Sequence, residues 1–505
     1  MMNASTEIAT PLRPVVPSFI DQAFSRAAGV RRSEGNAVRV LNNAAENYPA
    51  WLDAIAAARR YIYFESYILR DDTSGQQFAE ALIAKSREGV VVRVVYDWLG
   101  AIGKTSAAFW RTLRDANVEV RSFNSFQPLR PFAWVYRDHR KSLIVDGEVG
   151  FVTGLCVGDE WVGDPERAIP PWRDTGVEVR GPAVAQVEDA FAGIWSLTGD
   201  SIPAGERITT MQAPAGDVAL RVVATEPNRG ALLRFDQLLA SAARRTLWLT
   251  DAYFAGMPSH VEALRSAARD GVDVRLLVPG TTDIPIMRAF SRAGYRPLLE
   301  AGVRVFEWNG PMIHAKTAVA DEQWTRIGTS NLNIASWLGN YELDVIIEDS
   351  DVAGIMSRQY LTDLENATEI LLRERRTRPR RTAHVRSRPV TSGSAGRAAA
   401  GALRISNTVT AAVTNRRLLG PPDADTVAVA GVVLVALSAV ALFWPRVVAV
   451  PAAIVTAWLG VALVARGVRL WRSRRGHPRV AARDHGENLT SGDAGEGRDR
   501  STLPS

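Results

Sequence analysis

The sequence predicts an α/β fold in which two repeated lobes form one catalytic body, followed by a C-terminal transmembrane helical hairpin. Three observations carry this expectation. A strand–helix–strand order occurs twice, a His-Lys-Asp segment stands at the same place in each copy, and two uncharged runs of nineteen residues lie near the C-terminus.

The elements follow in order. No charged segment followed by an apolar run opens the sequence, so no secretory leader is expected. Residues 19–29 read as a short helix leading into the body. From Val38 the pattern becomes α/β: 54–60 is helical, 61–69 (YIYFESYIL) is a buried strand, 76–89 is a helix ending in glycine, and 90–96 (VVVRVVY) is a second buried strand. The order then recurs as a helix at 232–244, a strand at 246–254 (TLWLTDAYF), a helix at 260–271 and a strand at 272–278 (VDVRLLV). The parallel extends to residues, with SREGVVVRVVYD beside ARDGVDVRLLVP. Apolar strands alternating with helices imply buried parallel strands in layered halves. A repeat of roughly 175–185 residues is too long for a solenoid unit, so it marks a duplicated domain with a site possible where the halves meet.

Beyond Leu372 the composition changes. Residues 373–388 hold eight arginines in sixteen positions, a linker rather than a core element. Residues 398–419 fit one amphipathic helix with Ile405, Val409, Ala412 and Val413 on one face. The runs 426–444 and 447–465 follow, separated by Pro445 and Arg446. At 1.5 Å per residue each is about 28 Å long, which matches a hydrocarbon core of roughly 30 Å. The last 35 or so residues, rich in Gly, Asp and Arg, are expected to be disordered. The expected divisions are therefore a lead-in (1–37), a first lobe (38–200), a second lobe (201–372), a basic linker with its helix (373–423), the hairpin (424–466) and a basic tail (467–505).

Composition narrows the function classes. The chain has 505 residues, 47% of them hydrophobic, which excludes a disordered protein. A single cysteine, Cys156, excludes a disulfide framework and a Cys-based zinc module. The net charge of +6 conceals an asymmetry. From Arg373 onward there are 22 Lys and Arg against 8 Asp and Glu, so residues 1–372 carry a net charge of −8. An acidic body argues against nucleic-acid binding, and a basic tail suits an anionic surface.

The chemistry lies in HRKSLIVD and HAKTAVAD. His139 is followed by Lys141 and Asp146, and His314 by Lys316 and Asp321, at identical spacing. Six histidines and four lysines in 505 residues give about 0.05 such His-x-Lys pairs by chance. In an extended strand i and i+2 face one side, so each His and its Lys address one site. Imidazole is poised near neutral pH as nucleophile and as acid, and ammonium groups stabilise charge gathering on phosphate oxygens. The same ammonium groups repel a cation, so no metal and no cofactor are expected, and covalent catalysis through a phosphohistidine fits better.

These segments resemble the paired H-x-K-x-x-x-x-D motifs of the phospholipase D superfamily. YDWLG (96–100), VGDEW (157–161), WRDTGVEVRGPAV (172–184), GTSNLN (328–333) and NYELDV (340–345) are similar to its bacterial cardiolipin synthase branch. The resemblance covers 38–372 and implies two phospholipase D-like α/β lobes. It further implies that His139 attacks phosphorus and His314 protonates the leaving alcohol, although either order satisfies the same chemistry. Lys141, Lys316 and Asn331 are implied to bind phosphoryl oxygens, Asp174 and Glu342 to hold the imidazoles, and Asp146, Asp321 and Asn333 to support the motif loops. Two departures stand out. Seventeen residues after His139, where the second half has Asn331, this chain has Cys156, and a thiol is a poor substitute for an amide donor. Many members of the branch also carry their membrane helices before the catalytic body, whereas here the pair follows it.

The expected activity is that of a membrane-anchored phosphatidyltransferase condensing two phosphatidylglycerols into cardiolipin through a phosphatidyl-histidine. Hydrolysis of phospholipid is the alternative, because water, a small alcohol or a lipid hydroxyl can each resolve such an intermediate. A nuclease or a non-catalytic membrane scaffold fits less well. Phospholipid substrates and the bilayer are the expected partners, nucleic acid is not, and the oligomeric state is left open. Arg416, Arg417, Arg466, Arg469, Arg472, Arg474, Arg475, Arg479 and Arg483 flank the hairpin, whereas its turn holds only Arg446. The positive-inside rule then puts both termini and the body on the cytoplasmic side of the inner membrane.

Overall fold

The structure is a computed structural model that describes residues 19–125, 136–207 and 212–372, with scattered helical positions between 450 and 465. Sixteen strands are found among these residues. The first lobe holds β1 (Ser33–Asn42), β2 (Tyr61–Ser66), β3 (Val91–Asp97), β4 (Glu119–Phe123), β5 (Arg137–Asp138), β6 (Lys141–Val145), β7 (Val149–Thr153) and β8 (Thr175–Arg180). The second holds β9 (Val218–Thr225), β10 (Thr246–Thr250), β11 (Asp273–Pro279), β12 (Arg304–Trp308), β13 (Thr317–Ala320), β14 (Trp324–Gly328), β15 (Asn340–Glu348) and β16 (Ala367–Ile370).

Outward from the junction, the first lobe runs β1-β8-β7-β6-β2-β3-β4 and the second β9-β15-β14-β13-β10-β11-β12, with β16 added at its edge. The two orders are the same, so the sequence repeat is a structural repeat. Antiparallel pairing of β1 with β9, Ser33 opposite Leu220, joins the halves. The parallel arrangement expected from the apolar runs holds for β2-β3-β4 and β10-β11-β12. The motif strands depart from it, because β6–β7 and β13–β14 are antiparallel hairpins. Their turns place Asp146 and Gly147, or Asp321 and Glu322, at positive φ, with Glu148 N donating to Val145 O and Gln323 N to Ala320 O. Such reversals are set by local backbone conformation, which the hydrophobic run on either side does not report.

Between the lobes lies a shared core. The helices Val184–Thr198 and Ser350–Glu365 bring Val187, Phe191, Met356 and Tyr360 against Val177, Val222, Leu343 and Val345 from both halves. Side chains at this junction are therefore carried by packed elements of both halves. The lead-in helix Phe19–Ala28 belongs to the second lobe. Its Phe24 ring lies 5.1 Å from Phe235 and 5.8 Å from Trp324, and Asp21 pairs with buried Arg221. The strand that follows it starts at Ser33, five residues before the expected boundary.

The chain from Val440 forms a separate unit. Helical positions are described there at Val450, Ala453 and Thr456–Trp458, among others. No helix among the described residues is long and apolar enough to cross a membrane. Residues 373–444, which include the linker, the amphipathic helix and the first apolar run, lie outside the described residues, as does the tail from 466; the run 447–465 is described in part.

Candidate active site

Each motif histidine hangs on the opposite lobe. Short β5 pairs in parallel with β15, which lets His139 N donate to Tyr341 O at 2.9 Å and sets His139 beside Glu342. On the other side His314 N donates to Arg173 O at 2.7 Å, beside Asp174. The side chains complete the exchange. His139 Nδ1 lies 2.9 Å from Glu342 Oε2, and His314 Nδ1 lies 2.8 Å from Asp174 Oδ2. Both carboxylates are fully buried, and each binds a histidine from the other lobe. The sequence pointed to these four residues; the crossed pairing belongs to the three-dimensional structure.

Neither histidine lies within a strand as the spacing suggested. Lys141 begins β6, and His314 and Lys316 both precede β13 in extended segments. The i, i+2 relation still keeps each lysine with its histidine. Lys316 Nζ is 2.9 Å from His314 Nε2, and Lys141 Nζ lies 5.1 Å from the centre of the Tyr67 ring. Asp146 and Asp321 do structural work. Asp146 accepts the backbone N–H groups of Arg59, Arg60 and Tyr61, and Asp321 those of Arg244, Arg245 and Thr246, clamping each motif turn to the start of the neighbouring strand. Asn333 braces its own loop, donating to Tyr253 O and accepting from Ser336 N.

A cavity of about 860 Å³ opens over this junction, walled by His139, Lys141, His314, Asn331, Asn333 and Cys156. Asn331 Oδ1 is buried without a hydrogen-bond partner among the described residues. Lys316 is fully buried beneath His314, so reaching a phosphoryl oxygen requires its ammonium to turn away from the imidazole.

The sequence reading missed several residues. Tyr67 and Tyr253 stand edge-on to His139 and His314 at 4.9 and 5.9 Å. Trp161 donates to Asp174 Oδ2 at 3.2 Å, and Trp161 and Trp172 both flank His314. Arg140 reaches across the junction to the carbonyls of Glu342, Thr225 and Ala190, and Arg173 pairs with Asp363 at 2.9 Å. The position of Arg140 between His139 and Lys141 was the one available signal, because a charged residue there should face away from the site into apolar surroundings.

Burial, and then Lys316 beside it, push the pKa of His314 down to about 4. Burial also lowers that of His139, against the opposing pull of Glu342. Burial is the largest influence on the carboxyls of Asp174 and Glu342 and would raise them, but the histidine partners together with Lys316 and Lys141 and further hydrogen bonds hold both below the usual range. Lys316 is lowered to about 8, chiefly by burial. At pH 7 the resting site thus holds two neutral imidazoles, each with Nδ1–H given to a carboxylate, leaving Nε2 as the basic atom. An acid role for His314 requires it to gain a proton when an anionic phosphodiester enters. Calorimetry at pH 7 with an unreactive phosphonate analogue, in buffers of different ionisation enthalpy, should show uptake approaching one proton. The His314→Ala protein should show none, and absence of uptake by the unaltered protein would exclude this scheme.

Cys156 is 2% exposed within the apolar core of the first lobe, and its backbone carbonyl accepts from Tyr48 Oη at 2.8 Å. Burial raises its thiol pKa, so it is a neutral filler where the other half-site presents an amide. Cys156→Ala should cost on the order of 1 kcal/mol in stability, measured by denaturant unfolding, and leave turnover within a few-fold. Abolished turnover with the fold intact would assign the thiol a chemical role.

Among the described residues no group of three or more His, Cys, Asp or Glu side chains is placed to hold a metal ion. Residues 51–158 and 236–364 match the family described as "Cardiolipin synthase, PLD-like domain". The cardiolipin synthase of Alkalihalophilus pseudofirmus is 35% identical over 339 residues, 66% of this chain and 67% of that protein.

The chain belongs to the cardiolipin synthase family.

Other relatives agree. Cardiolipin synthase 2 of Bacillus anthracis is 34% identical over 66% of this chain and 65% of its own length, and the cardiolipin synthase of Geobacillus thermodenitrificans is 33% identical over 69% and 70%. The chain thus spans about two thirds of the relatives' length. Among solved structures, the phosphatidylserine synthase of Haemophilus influenzae superimposes with a TM-score of 0.55 at 12% identity, over 70% of this chain and 92% of that one, and shows the shared fold. As a member of the cardiolipin synthase family, the protein is a phosphatidyltransferase-type enzyme of the phospholipase D superfamily, and both family segments fall on the lobes that supply the crossed histidines.

Proposed function

We propose that the protein transfers a phosphatidyl group from one phosphatidylglycerol to the hydroxyl of a second, forming cardiolipin and glycerol. The observation that carries this reading is the pair of imidazoles at one cavity, each oriented through Nδ1 by a carboxylate of the opposite lobe. In the first half-reaction His139 Nε2 forms a bond to phosphorus as the bond from phosphorus to the glycerol oxygen breaks. His314 Nε2–H gives its proton to that oxygen, and glycerol departs. In the second half-reaction His314 takes the proton of the incoming lipid hydroxyl, whose oxygen bonds phosphorus and releases His139. Lys141, Lys316 and Asn331 hold the non-bridging oxygens where charge accumulates. Membership of a cardiolipin synthase family favours a lipid acceptor over water.

The test is expression in a cell that makes phosphatidylglycerol and no cardiolipin. Extracted lipid should contain cardiolipin, whereas phosphatidic acid alone would establish hydrolysis. We further propose that the apolar runs 426–444 and 447–465 tether the body as a hairpin; nine flanking arginines against one in the turn support both ends being cytoplasmic. Alkaline phosphatase fused after Arg475 should be inactive and a fluorescent protein there should glow. An active phosphatase would put the body on the other side.

A further inference from the structure

We propose that the first two turns of the helix Pro285–Leu299, with Ile284 before it and Ile334 of the same cavity wall, form the surface through which the catalytic cavity docks on an anionic lipid leaflet. This rests on the phosphatidyltransferase reading and adds the route by which substrate arrives. The helix is divided along its length. From Ser291 onward it is anchored in the second lobe, with Tyr295 and Leu298 buried in the core and Ser291 Oγ donating to Phe254 O at 2.7 Å. Among residues 285–290 no described side chain is buried, yet this stretch carries Met287 and Phe290, and Ile284 precedes it at the same three-residue spacing. Ile284 is 44% exposed, Phe290 59% and Ile334 59%.

These apolar side chains border the cavity that holds the histidines. Scattered exposed apolar residues are ordinary, whereas a cluster at the mouth of a catalytic cavity marks an interaction surface. The chemistry of the partner follows from the charges. Arg288, on the same two turns, is exposed and has no ion-pair partner among the described residues, whereas Arg292 and Arg296 further along are paired with Glu307 and Glu300. Lys104, a first-lobe residue of the same cavity, likewise has no ion-pair partner among the described residues. Exposed Phe and Ile beside unpaired cations suit acyl chains beneath anionic headgroups. The segment is also tied to the chemistry. Asp283, just before it, accepts a 2.6 Å hydrogen bond from Tyr253 Oη, and Tyr253 stands edge-on to His314. A lipid whose chains lie along Ile284 and Phe290 therefore presents its phosphate toward the histidines.

The lone buried cysteine makes a clean experiment possible. Full-length protein carrying Phe290→Cys has one accessible thiol, which can be labelled with an environment-sensitive fluorophore and reconstituted with vesicles of phosphatidylglycerol and phosphatidylcholine. Its emission should shift to the blue and be quenched at least three-fold by lipids bearing nitroxides on their acyl chains. A label at Leu361→Cys, an exposed site outside the cavity wall, should be unaffected. Adding Arg288→Glu should reduce quenching several-fold on anionic vesicles and little on neutral ones. An unquenched label at 290 in protein that still makes cardiolipin would overturn the docking surface and leave the transferase reading intact. Quenching with no transfer to any lipid would do the reverse. Crosslinking of position 290 to a second copy, with no quenching, would assign the patch to self-association and overturn the proposal.

Discussion

Replacing His139 or His314 with alanine is expected to reduce turnover by about 10²-fold or more in each case, because one transfer needs both a nucleophile and an acid. The two variants should fail at different steps. Without His139 no bond to phosphorus forms, so radiolabelled phosphatidylglycerol leaves the protein unlabelled. Without His314 the intermediate forms slowly but nothing deprotonates the acceptor, so label accumulates on His139. The crossed geometry lets each imidazole keep its own carboxylate when the other is removed. Label on the His139→Ala protein and none on the His314→Ala protein would reverse the roles while preserving the chemistry. Full activity in either variant would end the two-histidine mechanism.

Glu342→Gln is expected to produce the second-largest loss, about 10²- to 10⁴-fold in kcat, by analogy with other buried carboxylates that orient a catalytic imidazole. Glu342 accepts from His139 Nδ1 at 2.9 Å, Thr329 Oγ1 at 2.6 Å and Asn340 Nδ2 at 3.1 Å, among other donors. An amide supplies one oxygen and an NH₂ group in place of an acceptor-only pair. At least one of those donors then faces another donor, and His139 loses the partner that keeps its lone pair on Nε2. The pH profile provides a signature that a merely structural defect lacks. Glu342 raises the pKa of His139 against the lowering caused by burial. Removing its charge lowers that pKa further, so the acid limb, where His139 becomes protonated and ceases to attack, should move to lower pH. Glu342→Asp should recover part of the rate. Near-normal kcat in Glu342→Gln would show that the imidazole is oriented by something else.

Much of the fold could be read because buried strands write themselves as apolar runs. YIYFESYIL and VVVRVVY became β2 and β3, and TLWLTDAYF and VDVRLLV became β10 and β11, with ends displaced by a few residues. Parallel pairing of β2 with β3 and of β10 with β11 was legible from the helices between them, whereas the antiparallel direction of the motif strands was not, because an apolar run buried on both faces looks the same whether its neighbour runs with it or against it. The lead-in helix was visible as a helix, but its docking on the second lobe was not. That depends on Phe24 meeting Phe235 and Trp324, residues more than two hundred positions away.

The sequence by itself determined the chemistry. Two His-x-Lys pairs at matching places in a repeat are too improbable to be incidental, and imidazole with ammonium is a constellation suited to phosphoryl transfer. Asp174 and Glu342 came in only through the resemblance to the phospholipase D superfamily. Only the tertiary structure decided which carboxylate serves which histidine. Each histidine receives its carboxylate from the other lobe, and nothing in either repeat alone encodes that exchange. It arises where β5 lies along β15 and the segment before β8 meets the segment before β13, so that backbone hydrogen bonds from His139 to Tyr341 and from His314 to Arg173 fix the neighbours. The physical reason is one of range. Residue type and local spacing set what a side chain can do, whereas its partner depends on contacts formed when two separately patterned halves close on one core.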